Sequence, residues 1–171
     1  AALLKHTDDV HKISIISRGM ALGYTWTRPS EDKKLYTKEK FEDEIAQLLS
    51  GRVTEKMIFN QQSTGASNDL QRATKIARDM VTRYGMSDKI GPVALGEREE
   101  LVFLGKELGE HNTYSDKIAS IIDDEVESIV RLQEKRATAL LIKNKIKLKK
   151  VADKLLEVET LDQEAFEKLI S

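Results

Sequence analysis

Apolar residues recur at helical spacing through most of the chain, in three long stripes. The first stripe follows Thr37, a residue suited to an N-cap, and the third follows Ser115, another such residue. Their apolar members are Phe41, Ile45, Leu48, Leu49 and Val53; Leu70, Ala73, Ala77, Met80, Val81 and Tyr84; and Ile118, Ile121, Ile122, Val126, Ile129, Val130, Ala137, Leu140 and Leu141. A break near Asn144 and a cap at Asp162 predict two further, shorter helices.

A small β element is predicted near the N-terminus. Residues 12–17 are rich in isoleucine and partly alternate, which is typical of a strand. Residues 21–26 indicate a second extended segment, in which Gly23 marks either a close backbone approach or an exposed edge. The predicted fold class is therefore mainly α, with a small β element near the N-terminus.

The 171 residues fit one domain with three successive parts. Residues 1–36 hold the β element and a loop, residues 37–112 hold two helices and a long loop, and residues 113–171 hold the C-terminal helices. The loop over 85–112 contains five of the nine glycines, and connections of that length are usually functional or mobile. Glycine 51 interrupts the first stripe, which predicts another backbone packed tightly against it.

Composition removes several classes of function. The chain has 28 basic and 29 acidic residues and no cysteine, so disulfides, thiolate chemistry and cysteine-ligated metals are excluded. No apolar run approaches the length of a transmembrane helix. The basic cluster over 143–150 has no interleaved aromatic residues, and we expect a solvated helical face there rather than a nucleic-acid site.

The first residues, Ala1-Ala2-Leu3-Leu4, lack an initiator methionine and a basic segment, so they do not form a signal peptide. They resemble the last turn of a helix that begins elsewhere. We therefore expect the chain to be a fragment or a processed piece of a longer protein.

Asp69 is the first candidate for chemistry. If Ser67 is the N-cap, Asp69 lies in the first helical turn, where its charge gains about 0.3–1 kcal/mol from the helix dipole. Taken alone, this structural role is the better interpretation. A carboxylate is also a known zinc ligand, commonly beside two histidines.

The other polar candidates are weaker. His6, His11 and His111 form no H-E-x-x-H pair, so they predict surface or local structural roles. Glu55 is either a solvated helix charge or a carboxylate that orients a metal-binding imidazole. The hydroxyl groups at 63–67 have no recognisable base nearby, and capping explains them.

The segment Met20, Ala21, Leu22, Gly23, Tyr24 is apolar and extended. Such a segment is either an ordinary sheet edge or an edge strand that a peptide substrate joins by main-chain pairing. The sequence pattern does not favour one over the other.

Several blocks in order resemble the peptidase domain of FtsH, the membrane-anchored AAA+ zinc metalloprotease. The resemblance runs from about Val10 to the C-terminus. The blocks are V-H-K-I-S-I-I (10–16), R-G-M-A-L-G-Y (18–24), L-Y-T-K (35–38), L-S-G-R (49–52), S-T-G-A-S-N-D-L (63–70), M-V-T (80–82), Y-G-M-S-D (84–88), G-P-V (91–93), V-F-L-G (102–105) and E-T-L (159–161).

The resemblance implies a helical metallopeptidase domain that binds zinc. It implies that Asp69 is the third zinc ligand, that Glu55 orients a ligating histidine, and that Met20 to Tyr24 pair with substrate. It further implies a homo-hexamer that degrades unfolded and membrane proteins, sits at the bacterial inner membrane and faces the cytoplasm. ATP and Mg²⁺ are implied only through the family's ATPase module, and membrane contact only through its N-terminal anchor.

The departures from the family bear on activity. The H-E-A-G-H helix, which carries two zinc-binding histidines and the glutamate general base, would end just before Ala1 and is not in the sequence. Neither are the ATPase module and the anchor. Ser50 and Lys56 replace the family's usual Gly and Glu. We expect this chain alone to be soluble and inactive; the alternatives are a non-enzymatic helical oligomerisation module and a nucleic-acid binder resting on the lysines.

Overall fold

A computed structural model describes residues 1–17, 23–28, 35–95 and 114–171. In those residues the fold is mainly helical with one small antiparallel sheet, which confirms the predicted fold class. The elements in chain order are β1 (Asp9–Ser14), β2 (Tyr24–Arg28), α1 (Lys38–Phe59), a 3₁₀ turn (Thr64–Ala66), α2 (Ser67–Thr82), α3 (Asp116–Lys143), α4 (Lys145–Val158), β3 (Thr160–Asp162) and α5 (Gln163–Ile170).

The main hydrophobic core lies between α1, α2 and α3. All three helices contact one another, and each contributes part of its predicted apolar stripe. The fully buried members are Ile45, Leu49, Ala73, Ala77, Met80, Val81, Ile122 and Val126. The helical period of the sequence therefore identifies the packed faces correctly, because core-facing residues must recur every 3.6 positions.

A second core joins the sheet to the C-terminal helices. It is built from Val10 of β1, Leu155 of α4, Leu161 of β3 and Phe166 of α5. The N-terminal segment is bound to the helical body as well, since Leu4 packs on a small cluster formed by α1 and α3. The β element is therefore held by the C-terminal helices, and the segment that precedes it is held by α1 and α3.

The sheet has the strand order β2–β1–β3. Its first strand occupies 9–14 rather than the predicted 12–17, and the second occupies 24–28 rather than 21–26, of which 21 and 22 lie outside the described residues. The third strand, β3, was not predicted, because its three residues become a strand only by pairing with β1. A β-bulge at His11 shifts the register between β1 and β2.

Helix starts follow the expected chemistry at three positions. The side chains of Thr37, Ser115 and Asp162 each accept a hydrogen bond from a backbone N–H of the first turn. The break at Asn144 is also confirmed. The predicted cap at Ser67 is wrong: Ser67 is the first residue of α2, and Ser63 instead caps the 3₁₀ turn before it.

The prediction for Gly51 is wrong as well. A Cβ atom built on this residue would meet nothing within 4 Å, so no backbone from another part of the described chain packs against it. Residues 96–112 of the predicted loop, His111 among them, lie outside the described residues. Among the helices described, none combines the length and apolarity needed to cross a bilayer.

Candidate metal and substrate site

Asp69 is the third residue of α2 and lies in its first turn, as predicted. Its side chain is partly buried, and no hydrogen bond or ion pair engages it within the part of the chain that the structure describes. The helix dipole favours a negative charge at this end. An uncommitted, dipole-stabilised carboxylate fits the chemistry of a zinc ligand.

Glu55 lies in the last turns of α1, where it holds the chain that leads into α2. Its carboxylate oxygens accept hydrogen bonds from the backbone N–H of Ser63 at 3.0 Å and from the Ser63 hydroxyl at 2.9 Å. The same hydroxyl accepts from the N–H of Gly65 at 3.2 Å. Glu55 therefore fastens the 3₁₀ turn that immediately precedes the Asp69 helix.

The described histidines lie in two different places. The Nδ1 atom of His6 is 3.2 Å from Asp43, whereas the His11 ring meets the Trp26 ring with centroids 4.7 Å apart. No group of three or more histidine and acidic side chains capable of holding a metal ion occurs within the described ranges. The donor set described here is thus one carboxylate of suitable chemistry, which by itself is not a zinc site.

Of the predicted substrate segment, Gly23 and Tyr24 are described, whereas Met20, Ala21 and Leu22 lie outside the described residues. Tyr24 begins β2 opposite Ser14 of β1. A Cβ on Gly23 would lie 2.7 Å from the Ser14 carbonyl oxygen, so glycine is required where the segment enters the sheet. The close backbone approach, one of the two alternatives predicted for Gly23, is therefore present.

The structure also places β2 at the edge of the sheet. Within the described residues its one strand neighbour is β1. Half of the main-chain N–H and C=O groups of an edge strand face away from its partner, which is the geometry that a peptide needs to add a strand.

Two buried carboxylates were missed by the sequence analysis. Asp43 of α1 is completely buried, and its oxygens lie 2.6 Å from the Arg136 guanidinium and 2.8 Å from the backbone N of His6. Its Oδ1 atom accepts no hydrogen bond from the described residues, and the ion pair with Arg136 is its one polar contact among them. No periodic signal reveals Asp43, because charged residues on a helix usually lie in solvent.

Glu125 of α3 is the second buried carboxylate. It accepts from the Ser87 hydroxyl at 2.7 Å and pairs with Lys89 at 2.7 Å, which ties the segment after α2 to α3. Burial alone would raise the pKa of Glu125. The hydrogen bonds from Lys89 and Ser87, together with the positive charges of Lys89 and Lys38, outweigh burial and leave that pKa below its ordinary value.

The α4 lysines of the basic cluster make one contact within their own helix and one with α5. Lys149 pairs with Asp153 one turn along the helix, and Lys147 donates to the backbone carbonyl of Ile170. The exposed Lys149–Asp153 pair is typical of a solvated helical face, whereas the Lys147 contact joins α4 to the end of α5. The absence of nucleic-acid binding stays a prediction.

Comparison with known proteins agrees with these features. The model of the family described as Peptidase family M41 matches residues 1–169. The chain belongs to peptidase family M41. The match includes Asp69, Glu55 and the whole sheet, so the residues singled out above all lie within the family domain.

Curated relatives give the same assignment. The protein named ATP-dependent zinc metalloprotease FtsH 1 from Sphaerobacter thermophilus is 48% identical over 169 residues, which are 99% of this chain and 26% of that protein. The ATP-dependent zinc metalloprotease FtsH of Caldicellulosiruptor bescii is 49% identical over 168 residues, 98% of this chain and 27% of its own length. This M41 chain therefore spans about a quarter of the curated relatives it matches.

Proposed function

We propose that this chain is the peptidase portion of an ATP-dependent zinc metalloendopeptidase that degrades membrane and soluble proteins. The observation that carries the proposal is the family match over residues 1–169. It is supported by the Asp69 carboxylate, which no hydrogen bond or ion pair from the described residues engages. The names of the relatives support ATP dependence and zinc. In this proposal ATP and Mg²⁺ bind to an ATPase module, and the residues of this chain form no part of that module.

Asp69 supplies one zinc ligand in the proposed enzyme, and the bound zinc would act as a Lewis acid on water and the substrate carbonyl. Two imidazole ligands must complete the site, and this sequence contains no H-E-x-x-H pair to provide them. Glu55 contributes in either of two ways, by holding the turn before α2 or by orienting a ligating imidazole. The turn contact to Ser63 supports the first of these.

Substrate enters as an extended strand in the proposed enzyme. Met20 to Tyr24 leads into β2, whose edge position supports main-chain pairing with a polypeptide. Pairing through the main chain tolerates many sequences, which suits a protease that degrades diverse unfolded proteins. We propose that the longer enzyme to which this chain belongs lies at the inner membrane, with this domain on the cytoplasmic side.

A hexameric assembly is also part of the proposal. Large apolar side chains of α3 and α4 are exposed in this chain, and exposed apolar groups of this kind mark sites of protein contact when they are contiguous. They are Leu132 (60%), Ile142 (61%), Ile146 (75%) and Leu156 (76%). The same surface would serve a non-enzymatic oligomerisation module, which is the second candidate function.

The deciding experiment is zinc binding in trans. The 171-residue chain is mixed with a helical peptide that carries H-E-A-G-H, and bound zinc is measured by titration calorimetry and metal analysis. We expect zinc binding from the mixture, and no casein hydrolysis by the chain with zinc alone. Asp69→Asn should weaken zinc binding tenfold or more, because even outer partners of a ligand contribute about 10–100-fold.

Asp116→Asn is the matched control, since Asp116 also lies in the first turn of a helix. If both variants bind zinc as tightly as the unmutated chain does, Asp69 only stabilises the start of α2 through the helix dipole. The non-enzymatic oligomerisation module then becomes the better interpretation of the chain's function. Chelator-sensitive casein hydrolysis by the purified chain alone would overturn the expectation that it is inactive.

A further inference from the structure

Trp26 is a large aromatic side chain exposed on an edge strand. It lies in the middle of β2, is 54% exposed and is the chain's one tryptophan. An exposed aromatic residue on a sheet edge can pair with a further strand. Its position therefore calls for a functional explanation.

The pairing register assigns the two faces of β2. Thr25 and Thr27 lie opposite Ile13 and Val10, which belong to the second core. Because side chains alternate along a strand, Trp26 lies on the other face with its neighbours two residues away. Those neighbours are Tyr24 on one side and the exposed Arg28 on the other.

Trp26 is supported from the β1 side. The bulge in β1 places the His11 ring edge-on to the indole, at 4.7 Å between centroids and an interplanar angle of 88°. Lys12 is its direct cross-strand partner. β1 pairs with the inner edge of β2. A further strand that paired with the outer edge of β2 would therefore bring its side chains next to the exposed part of the indole.

We propose that Trp26 determines substrate specificity. An extended polypeptide that adds to the outer edge of β2 would place a large apolar or aromatic residue opposite Trp26. An acidic residue two positions away would then lie beside Arg28, whose positive charge complements it. This inference rests on the proposed function, because it assigns a residue preference to the proposed substrate strand.

The expected preference follows from cross-strand pair energetics. Aromatic pairs and opposite charges on neighbouring strands stabilise a sheet measurably, which corresponds to about two- to fivefold in affinity for each pair. The preference should be modest, since main-chain hydrogen bonds provide the sequence-independent part of strand addition.

The test uses three short acetylated threonine peptides added to the 171-residue chain. The first has a central phenylalanine with glutamate two positions away on both sides; the second replaces phenylalanine with alanine, and the third replaces both glutamates with lysine. Emission of the single tryptophan should shift and become less accessible to a neutral quencher when the first peptide binds. The first peptide should bind about two- to fivefold tighter than each of the others.

Variants assign the preference to individual side chains. Their peptide binding is measured with fluorescently labelled peptides, and circular dichroism checks that each variant is folded. Trp26→Ala should abolish the preference for phenylalanine, and Trp26→Phe should retain most of it. Arg28→Gln should abolish the preference for glutamate. Thr25→Ala, on the opposite face of the same strand, is the control and should change neither.

Equal affinity of the parent chain for the phenylalanine and alanine peptides would overturn the role of Trp26 and leave strand addition intact. Binding without any change in tryptophan emission would overturn it too, because the peptide then lies elsewhere. If none of the peptides binds, the edge of β2 is not a substrate site; the zinc experiment with Asp69→Asn still decides the proposed function independently.

Discussion

The Glu55 carboxylate accepts hydrogen bonds from both the backbone N–H and the hydroxyl of Ser63. One side chain of α1 thereby fixes the turn from which α2 and Asp69 begin. The Ser63 hydroxyl extends the connection, since it accepts from the Gly65 N–H inside the 3₁₀ turn. The position of the candidate zinc ligand thus depends on a contact between α1 and the turn.

We expect Glu55→Ala and Ser63→Ala to act on one shared interaction. Each should lower the free energy of unfolding by about 1–2 kcal/mol, and the double variant should lose less than the sum because the same hydrogen bonds are removed. Urea unfolding followed by circular dichroism measures the cycle. Lys56→Ala, the adjacent exposed position on α1, is the control and should stay within about 0.5 kcal/mol of the parent chain. Strict additivity would show that Glu55 does not hold the turn.

The buried pair between Asp43 and Arg136 should respond asymmetrically to mutation. Arg136→Met leaves a fully buried carboxylate without its cation and should cost about 3–5 kcal/mol. Asp43→Asn retains an acceptor for the His6 N–H and leaves a guanidinium that is partly exposed, so its cost should be about 1–3 kcal/mol. Unfolding free energies of the two variants check the order, and a smaller loss for Arg136→Met would contradict it.

The hydrogen bonds to Glu125 predict a pH dependence of stability. Since the pKa of this carboxyl is lower in the folded than in the unfolded protein, the free energy that Glu125 contributes to folding is fully present at pH values above the unfolded pKa of about 4.5. It is lost as pH falls through the folded pKa. Ser87→Ala should cost about 1.5–3 kcal/mol near neutral pH, because a hydrogen bond to a charged group disappears.

Stability profiles between neutral pH and pH 3 test this account. The acid-side decline of Glu125→Gln should be shallower than that of the parent chain, because Gln does not titrate. Asp123→Asn is a control on the same helix, since its carboxylate is exposed and pairs with Arg78 at the surface. Parallel declines of the parent chain and Glu125→Gln would rule out Glu125 as a source of the pH dependence.

The parts of the fold that were predictable are those with local causes. The apolar period of α1, α2 and α3 identifies their packed faces, and hydroxyl or carboxylate caps identify the starts at Thr37, Ser115 and Asp162. The missed strand β3 has a distant cause, since its residues pair with β1 from the other end of the chain. The Ser67 error arose because a 3₁₀ turn separates the cap at Ser63 from α2.

The candidate site shows the same division. Asp69 was predicted from a local helix start, and the first turn of α2 is where it lies. The partner of Glu55 is eight positions away along the chain, beyond the range of a helical pattern. The burial of Asp43 could not be predicted for a related reason. It depends on Arg136 and on the N-terminal segment, which are both far away in sequence.

Two glycines with opposite environments supply a last, matched prediction. At Gly23 a Cβ would lie 2.7 Å from the Ser14 carbonyl oxygen and 3.3 Å from the Cα atom of Ile15, and backbone atoms do not move aside easily. Gly23→Ala should therefore force β1 and β2 apart where the proposed substrate segment begins, at a cost of about 1–3 kcal/mol. At Gly51 the added Cβ meets nothing within 4 Å, and the residue lies inside α1.

Gly51→Ala should accordingly stabilise the chain by about 0.5–1 kcal/mol, the ordinary gain of alanine over glycine in a helix. Thermal and urea unfolding of the two single variants measure the opposite signs. Amide hydrogen exchange adds the location, because Gly23→Ala should accelerate exchange in β1 and β2 while α1 stays protected. If both substitutions stabilise the chain, Ser14 does not approach Gly23 closely in solution, and the entry of the substrate segment into the sheet is open rather than tightly packed.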